Sequence, residues 1–323
     1  MKTLIKNGLL IDPANQVQAY LNLILEDGKV VAVTEEEPEA DRVIDATGKV
    51  VAPGFIDIHM HEDPVKDGKI EFCIFDAMLR MGVTTAVGGN CGINVYDPVK
   101  YLDMVEKDGA PVNVMLFAGH QYFREAAGAL DKYAPVTKEQ QEHMKKGLEK
   151  ALEAGCVGIS YGLRYVPGTG RDEFLDTASC CEKEHRMISA HVRDDEDRVF
   201  GAVAEVAEAG KLYNIPVQVS HIGSMAGFGQ MKQLLRQVDG YRMNGIDVAC
   251  DCYPYFAFST RIGATTYDDG WLERYHCDYS ACQLTEGKYK GQRCTPETFA
   301  EMRRDFPECL TVCYVMDEND IRM

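Results

Sequence analysis

The stretch VVAPGFIDIHMH (residues 50–61) marks a change of pattern along the chain. Before it, branched apolar residues cluster or alternate in short runs, and turn signals such as Asn7-Gly8, Asp27-Gly28 and Thr47-Gly48 separate these runs. After it, apolar runs of strand length alternate with helical stretches. That alternation is typical of βα units and a parallel sheet, so the chain is predicted to have an α/β fold.

Seven apolar runs of strand length follow one another from residue 50. They are VVAPGFIDIH (50–59), VTTAVGGN (83–90), VNVMLFAGH (112–120), CVGISYGL (156–163), MISAHV (187–192), VQVSHI (217–222) and DVACDCYPY (247–255). Eight βα units close a (β/α)₈ barrel. We therefore expect a TIM-like barrel whose eighth unit is missing from this chain.

The pattern divides the chain into two predicted domains. Residues 1–52 are expected to form part of a small β-sandwich, and residues 53–323 the barrel, with an irregular insertion at about 260–292. An alternative for the first region, strands that edge a larger sheet, stays open. The final stretch TVCYVMDENDIRM (311–323) is interpreted as the start of a helix.

Two helices between the strands have clear signals. Thr137 and Gln140 form a capping-box pattern, and Gly155 provides a stop. An apolar stripe follows the helical period within this segment at Met144, Leu148, Ala151 and Leu152. A second helix is predicted over roughly 194–211, with its apolar face at Val199, Ala202, Val203 and Val206.

Composition limits the classes of function. The chain of 323 residues has 51 acidic and 34 basic residues, a net charge of −17 that argues against binding to nucleic acid or to an anionic membrane. No apolar run approaches the ~20 residues of a membrane-spanning helix. The N-terminus lacks a cleavage site for a signal peptide. The twelve cysteines of the chain form no CxxC pair, so we expect reduced thiols and a cytoplasmic protein.

His59 and His61 end the first predicted strand. Residues two apart on a strand point the same way, so both imidazoles should converge at the carboxyl end of the strand, where barrel active sites lie. Neutral imidazoles at such a position suit zinc or another borderline divalent metal. The alternative is a pair of histidines that only form hydrogen bonds, and an isolated HxH pattern would favour it.

Three further residues end other strands. Cys91 follows the second strand in GGNCG, His191 ends the fifth strand and His221 ends the sixth. Any one of twelve cysteines is more often a small buried apolar residue, and a single strand-end histidine is more often part of the core. Four histidines and a cysteine at strand ends are hard to explain in that way, so we predict a metal centre. His120, after the third strand, is given equal odds of a structural role, and Asp251 in the seventh strand is assigned none.

These motifs resemble the amidohydrolase superfamily, and within it the N-acyl-D-amino-acid deacylases (D-aminoacylase and its D-glutamate and D-aspartate relatives). VVAPGFIDIHMH, VTTAVGGNCGIN, GISYGLRYVPG, ISAHVRDDED, PVQVSHIGS and DCYPYFAFST follow one another in the order typical of that family. Many superfamily members bridge two metals with a carboxylated lysine on the fourth strand, but residues 156–163 contain no lysine. The branch that uses a second-strand cysteine is the consistent choice.

The resemblance implies a zinc-dependent amidohydrolase that cleaves N-acyl-D-amino acids to a carboxylate and a free D-amino acid. Cys91, His191 and His221 would hold the tighter zinc, and His59 and His61 a weaker second position. Arg193, Tyr165 and Tyr253 are candidate donors to the substrate carboxylate. Tyr253 could equally belong to the core, and Arg193 could pair with a neighbouring aspartate.

The chain departs from the family pattern in two places. The family's catalytic aspartate lies on an eighth strand, and no residue of this chain matches it, so no catalytic residue is assigned. Some relatives have a lysine two residues after the sixth-strand histidine, where this chain has Gly223. We expect the chain by itself to be marginally stable, to aggregate, or to self-associate through exposed barrel edges.

Two other functions remain under consideration. One is ring opening of a cyclic amide, as in hydantoinases and dihydroorotases. The other is metal binding without catalysis, for which the missing aspartate is an argument.

Overall fold

A computed structural model describes residues 1–323 of the chain, which divides into two compact units. The first comprises Met1–Phe55 with Gly82–Thr84, and the second comprises Ile56–Met81 with Thr85–Met323. Each unit is described by itself below.

The first unit is a β-structure of two small sheets, in the orders β5-β4-β1-β6 and β3-β2-β7. The strands are β1 (Lys2–Lys6), β2 (Leu9–Asp12), β3 (Val17–Tyr20), β4 (Asn22–Glu26), β5 (Lys29–Thr34), β6 (Arg42–Asp45) and β7 (Val50–Val51). Asp27 and Gly28 join β4 to β5 with positive φ angles of 50° and 77°. This is the geometry of the Asp-Gly hairpin turn that the sequence indicates. Leu4, Leu10 and Ile24 form the core.

The second unit is built on a seven-stranded sheet in the order β16-β15-β14-β13-β12-β11-β8. The strands of this part of the chain are β8 (Phe55–Asp57), β9 (Val65–Lys66), β10 (Lys69–Ile70), β11 (Val83–Gly88), β12 (Asn113–Gly119), β13 (Gly158–Gly162), β14 (Met187–His191), β15 (Val217–Val219) and β16 (Val248–Cys250). Every neighbouring pair from β11 to β16 is parallel. The strand order follows the chain order, which confirms the predicted α/β barrel-type fold.

Helices alternate with these strands. They are α1 (Ile74–Arg80), α2 (Pro98–Asp108), α3 (His120–Ala126), α4 (Lys138–Glu153), α5 (Arg171–Ala178), α6 (Val199–Tyr213), α7 (Ile222–Ala226) and α8 (Met231–Met243). The capping box of α4 is present, with Thr137 accepting from the Gln140 backbone and the Gln140 side chain accepting from Thr137. Helix α6 begins at Val199 rather than near 194, because Asp195 is extended and residues 196–198 form a 3₁₀ turn.

The region after Tyr253, which includes the predicted irregular insertion at about 260–292, contains regular elements. It contains β17 (Phe258–Arg261), β18 (Cys282–Leu284) and β19 (Leu310–Cys313), together with α9 (Trp271–Arg274), α10 (Pro296–Asp305) and α11 (Glu318–Ile321). The strands form an antiparallel sheet in the order β17-β19-β18. An aromatic core that includes Tyr267, Trp271 and Phe299 packs this region. Aromatic packing and long-range strand pairing order a segment that lacks a clear periodic pattern.

The final stretch contains a strand before the predicted start of a helix. Residues 310–313 are the strand β19, which pairs with both β17 and β18, and the helix begins only at Glu318. Asp317 caps that helix by accepting from the Asn319 backbone. Thr311 and Val312 have strong strand preferences, and two partner strands complete their hydrogen bonds.

The helices of the structure are all too short or too polar to cross a membrane. All twelve cysteines are free thiols.

Candidate metal centre

Cys91 lies in a tight turn at the carboxyl end of β11. Residues Asn90–Gly92 form a 3₁₀ turn in which Cys91 has a left-handed backbone (φ 57°, ψ 25°). The Asn90 amide donates to the Ile58 and Val87 carbonyls at 3.1 and 3.0 Å and accepts from the Ser189 hydroxyl at 3.1 Å. Asn90 therefore ties the turn to segments far away in the sequence, and this places the buried thiol at the sheet edge.

The glycine after Cys91 is required by close packing. A Cβ on Gly92 would lie 2.8 Å from the Gly162 backbone nitrogen, and Gly92 has a φ of 77°. The Gly92 amide also donates to the Ser160 hydroxyl at 3.0 Å. No larger residue fits between the turn and β13, which explains why a glycine follows the cysteine.

His191 and His221 meet Cys91 from two neighbouring strands. His191 is the last residue of β14, and His221 follows β15 in a left-handed conformation (φ 34°, ψ 55°). The His221 Nε2 atom lies 3.4 Å from the Cys91 Sγ atom, and its Nδ1 atom is 2.9 Å from the Ser224 hydroxyl. The two imidazole rings are 4.5 Å apart between centroids. These three side chains are buried together.

His59 approaches the same thiol from β8. Its Nε2 atom is 3.5 Å from Cys91 Sγ, and its Nδ1 atom is 3.3 Å from an Asp251 carboxylate oxygen. His61 follows it and is exposed, with its ring centroid 6.1 Å from that of His59. The structure thus brings together all five residues that the sequence suggested as ligands.

The five residues form two groups that share one thiol. His59, His61 and Cys91 make one triplet, and Cys91, His191 and His221 make the other, each with donor atoms within 4.8 Å of one another. In a tetrahedral zinc site the edge between sulfur and nitrogen ligands is about 3.5 Å. The two measured S···N distances of 3.4 and 3.5 Å match that edge. Imidazole and thiolate are also the donor types that zinc prefers.

Charge interactions favour a thiolate at this position. Burial raises the pKa of the Cys91 thiol, but the charges of His59 and His221 and hydrogen bonds from His191 and His221 hold it well below its usual 9.0. Burial lowers the pKa of His59, while the Cys91 charge and Asp251 outweigh this and raise it to about 10. Burial and the neighbouring His221 lower the pKa of His191 to about 4. The thiolate and a neutral His191 are the protonation states that ligate a metal.

One atom of the centre has no partner within the protein. The Nδ1 atom of His191 is buried and makes no hydrogen bond, whereas the Nδ1 atoms of His59 and His221 are both bonded. A buried polar atom without a partner is costly, and a ligand at the site would compensate for it. The residues present therefore fit a zinc ion.

A cavity of about 380 Å³ opens over these ligands. Tyr165 and Tyr253, both predicted to contact substrate, line it, as do residues Phe258–Thr260 of β17. The Tyr165 ring lies 4.4 Å from that of His191, and burial and the Cys91 charge raise its pKa. Burial raises the pKa of Tyr253 to about 12. Both phenols therefore stay protonated at neutral pH and can donate hydrogen bonds into the cavity.

Arg193 does not reach this cavity, which corrects its predicted role. Its Nε and Nη2 atoms bind both carboxylate oxygens of Glu205 on α6, at 3.0 and 2.8 Å. The residues that line the cavity do not include it. The prediction assumed that strand alternation continues from His191, but β14 ends at that residue. Beyond a strand end, side-chain parity no longer holds.

His120 has a structural environment. It is the first residue of α3, is 1% exposed, and its Nε2 atom lies 3.0 Å from the Glu173 carboxylate. Arg124 contacts the same carboxylate oxygen at 3.2 Å. The side chain is part of a buried polar cluster and not of the metal centre.

Sequence reasoning missed three residues that support the ligands. Asp251 contacts His59, Ser224 contacts His221, and Asn90 orders the Cys91 turn. Asp251 directly follows β16. A carboxylate at the carboxyl end of a barrel strand is a local signal from which a role for Asp251 at the metal centre could have been predicted. Nothing in the local pattern distinguishes the other two.

Comparisons with known proteins identify the family of the chain. The model of the amidohydrolase family matches residues 42–162. The N-acyl-D-glutamate deacylase of Alcaligenes xylosoxydans xylosoxydans is 31% identical over 283 residues, which are 79% of this chain and 57% of the relative. A dihydroorotase of Enterococcus faecalis is 29% identical over 234 residues, 67% of this chain and 48% of that protein. The chain thus spans about half the length of these curated relatives.

A solved structure extends the similarity to the fold of nearly the whole chain. It is that of an N-acyl-D-glutamate deacylase from Bordetella bronchiseptica, complexed with zinc and a phosphonate inhibitor. The sequences are 27% identical, the TM-score is 0.83, and the match covers 99% of this chain and 73% of the other. Family model, relatives and fold agree, and the chain is a member of the amidohydrolase superfamily that resembles its N-acyl-D-amino-acid deacylases.

Proposed function

We propose that this chain carries the metal centre and part of the substrate site of a zinc-dependent amidohydrolase that converts N-acyl-D-amino acids to a carboxylate and a free D-amino acid. The observation that carries the proposal is the Cys91 thiol, which two ligand triplets share at the carboxyl ends of parallel strands. The similarity to an N-acyl-D-glutamate deacylase supports the reaction class.

Zinc bound here would polarise the amide carbonyl and lower the pKa of a bound water molecule toward ~7. The protein's part is to hold the ligands and to orient the substrate. Ser224 fixes the His221 ring through its Nδ1 atom, so that Nε2 faces the Cys91 thiol. Tyr165 and Tyr253 present protonated hydroxyls to the cavity, where they can donate to substrate oxygens.

The two triplets differ in burial, and this supports unequal zinc binding. Cys91, His191 and His221 are all buried, whereas His61 in the other triplet is exposed. An exposed imidazole loses more conformational freedom on binding a metal than a buried one does. It also competes with water as a ligand of the metal. We infer one tight zinc position at Cys91, His191 and His221, and a weaker one that His59 and His61 complete.

Recognition of the substrate carboxylate would use neutral hydrogen-bond donors among the residues that line the cavity. The lining residues include no lysine or arginine, and Gly223 stands where some relatives have a lysine. Tyr165, Tyr253 and the hydroxyls of Ser259 and Thr260 are among the donors that line the cavity. The substrate proposed is a small N-acyl amino acid, which a cavity of about 380 Å³ can hold.

The test is hydrolysis of matched N-acetyl-D and N-acetyl-L amino acids by the zinc-loaded chain and by the product of the complete reading frame. Released D-amino acid is measured with a D-specific oxidase and L-amino acid with an L-specific one. We expect D-selective release that Cys91→Ser abolishes. Equal release from both enantiomers, or release that survives Cys91→Ser, would contradict the proposal.

A second candidate is hydrolysis of a cyclic amide, which the similarity to a dihydroorotase favours. The same preparations are assayed with dihydroorotate and with hydantoins. Turnover of these rings without turnover of linear N-acyl amino acids would replace the first proposal. Stoichiometric zinc without turnover of either class would instead indicate a metal-binding protein that does not catalyse.

A further inference from the structure

We propose that Asp251 is a positioning residue that holds the two metal-ligand triplets in register, through the His59 ring in one and the His221 backbone in the other. The inference rests on the proposed metal centre and adds to it a residue that contacts ligands but does not itself ligate. Asp251 lies at the carboxyl end of β16, directly after Cys250.

The first contact fixes the orientation of His59. Its Nδ1 atom lies 3.3 and 3.4 Å from the two Asp251 oxygens, and its Nε2 atom faces the Cys91 thiol at 3.5 Å. A carboxylate on one ring nitrogen keeps a proton there and leaves the other nitrogen free to ligate. Carboxylates commonly orient metal-binding histidines in this way.

The second contact fixes the backbone of His221. The His221 amide donates to Asp251 Oδ1 at 2.6 Å, and the Ile222 amide donates to the Asp251 carbonyl at 2.8 Å. His221 has a positive φ of 34°, a conformation that non-glycine residues rarely adopt. The amide hydrogen bond to the carboxylate stabilises this turn and so directs the imidazole toward Cys91.

A third contact shows that both oxygens are occupied. Gln218 Nε2 donates to Asp251 Oδ2 at 2.8 Å, while Oδ1 accepts from His221. The side chains that line the substrate cavity do not include Asp251. The carboxylate therefore acts through His59 and His221 rather than on a reacting atom, and it is a positioning residue.

The test separates the two contacts with two substitutions. Asp251→Asn keeps an oxygen for the His221 amide but removes the charge that faces His59, whereas Asp251→Ala removes both. Asp247→Asn is the matched control, because Asp247 is exposed and lies at the opposite end of the same strand. Zinc dissociation constants are measured by competition with a chromogenic chelator, and the His59 ring signals by ¹⁵N NMR of the zinc-loaded chain.

We expect Asp251→Asn to weaken zinc binding at the His59 triplet by about 10- to 100-fold and to leave the tighter site unchanged. Asp251→Ala should weaken both sites, and Asp247→Asn neither. In the zinc-loaded wild type, where His59 Nε2 would ligate, the Nδ1 atom that faces Asp251 should carry a proton, and Asp251→Asn should shift the ¹⁵N signal of this atom.

The outcomes distinguish the inference from the proposed function. If the wild type binds zinc but Asp251→Asn has wild-type dissociation constants and a wild-type His59 spectrum, the positioning role is wrong. If the wild type binds no zinc, the proposed metal centre is wrong. If it binds a single ion, Asp251→Ala should still weaken that binding through the lost His221 contact, and an unchanged dissociation constant would contradict the inference.

Discussion

The Nε2 atom of His221 lies 3.4 Å from the Sγ atom of Cys91, although 130 residues separate them. Strands β11 and β15 bring them to the same edge of a parallel sheet. The local sequence around either residue does not predict this contact. The contact lies within the more buried ligand triplet, and the Cys91 thiol also belongs to the other triplet, so the first prediction tests this thiol.

Replacement of Cys91 should remove metal from both positions. The thiol belongs to both ligand triplets, so Cys91→Ala leaves two imidazoles in each. We expect zinc content after dialysis to fall to less than a tenth of the wild-type value. Cys156→Ala is the control, since Cys156 is equally buried but lies outside the triplets. Mass spectrometry of the metal content is the measurement, and equal zinc in wild type and Cys91→Ala would contradict the prediction.

Asn90 should be important for stability as well as for metal binding. Asn90→Ala leaves the buried Val87 carbonyl and the Ser189 hydroxyl without this amide partner. The substitution also removes the bond to the Ile58 carbonyl, and each lost hydrogen bond costs about 1 kcal/mol, so we expect a loss of about 3 kcal/mol in the free energy of unfolding. Urea denaturation measures it. The exposed Asn244→Ala is the control, with an expected loss below about 0.5 kcal/mol.

The metal-free chain should lose stability as pH falls below neutrality. The pKa of His191 is lowered to about 4 in the folded chain, against about 6.5 when unfolded. Between these values the unfolded chain binds a proton that the folded chain excludes, so the free energy of unfolding decreases as pH falls from 6.5 to 4. The decrease reaches roughly 3 kcal/mol.

Urea unfolding at pH 7, 6, 5 and 4.5 measures this dependence. The Cys91 thiolate acts in the same direction, because its pKa is also held low in the folded chain. His191→Gln should flatten the slope between pH 6.5 and 4. A variant with the wild-type slope would show that His191 is not the responsible group.

Arg193 and Tyr253 should respond differently in a substrate assay. Arg193 is bound to Glu205 outside the cavity, so Arg193→Ala should leave KM within about twofold of the wild type. Tyr253 lines the cavity, and Tyr253→Phe removes a hydrogen-bond donor. Loss of one such bond costs about 1 kcal/mol, so KM should rise about fivefold. The opposite ranking would restore the role that the sequence suggested for Arg193.

Much of the fold and of the ligand set could be predicted from local patterns. Each of the parallel strands is a short apolar run, and the capping box at Thr137 is a local signal. The region after Tyr253 was not predictable in the same way. Its β19 strand forms because β17 and β18 pair with it from either side, and the paired residues are 27 or more positions apart in the sequence.

The amino-acid sequence by itself determined which side chains end the strands, and so which could ligate a metal, since strand ends and residue types are local properties. The tertiary structure decided that Asp251 supports His59 and that Arg193 turns away to Glu205. Both outcomes depend on where the chain goes after a strand ends. There, side-chain alternation stops, and contacts with distant segments set the direction of each side chain.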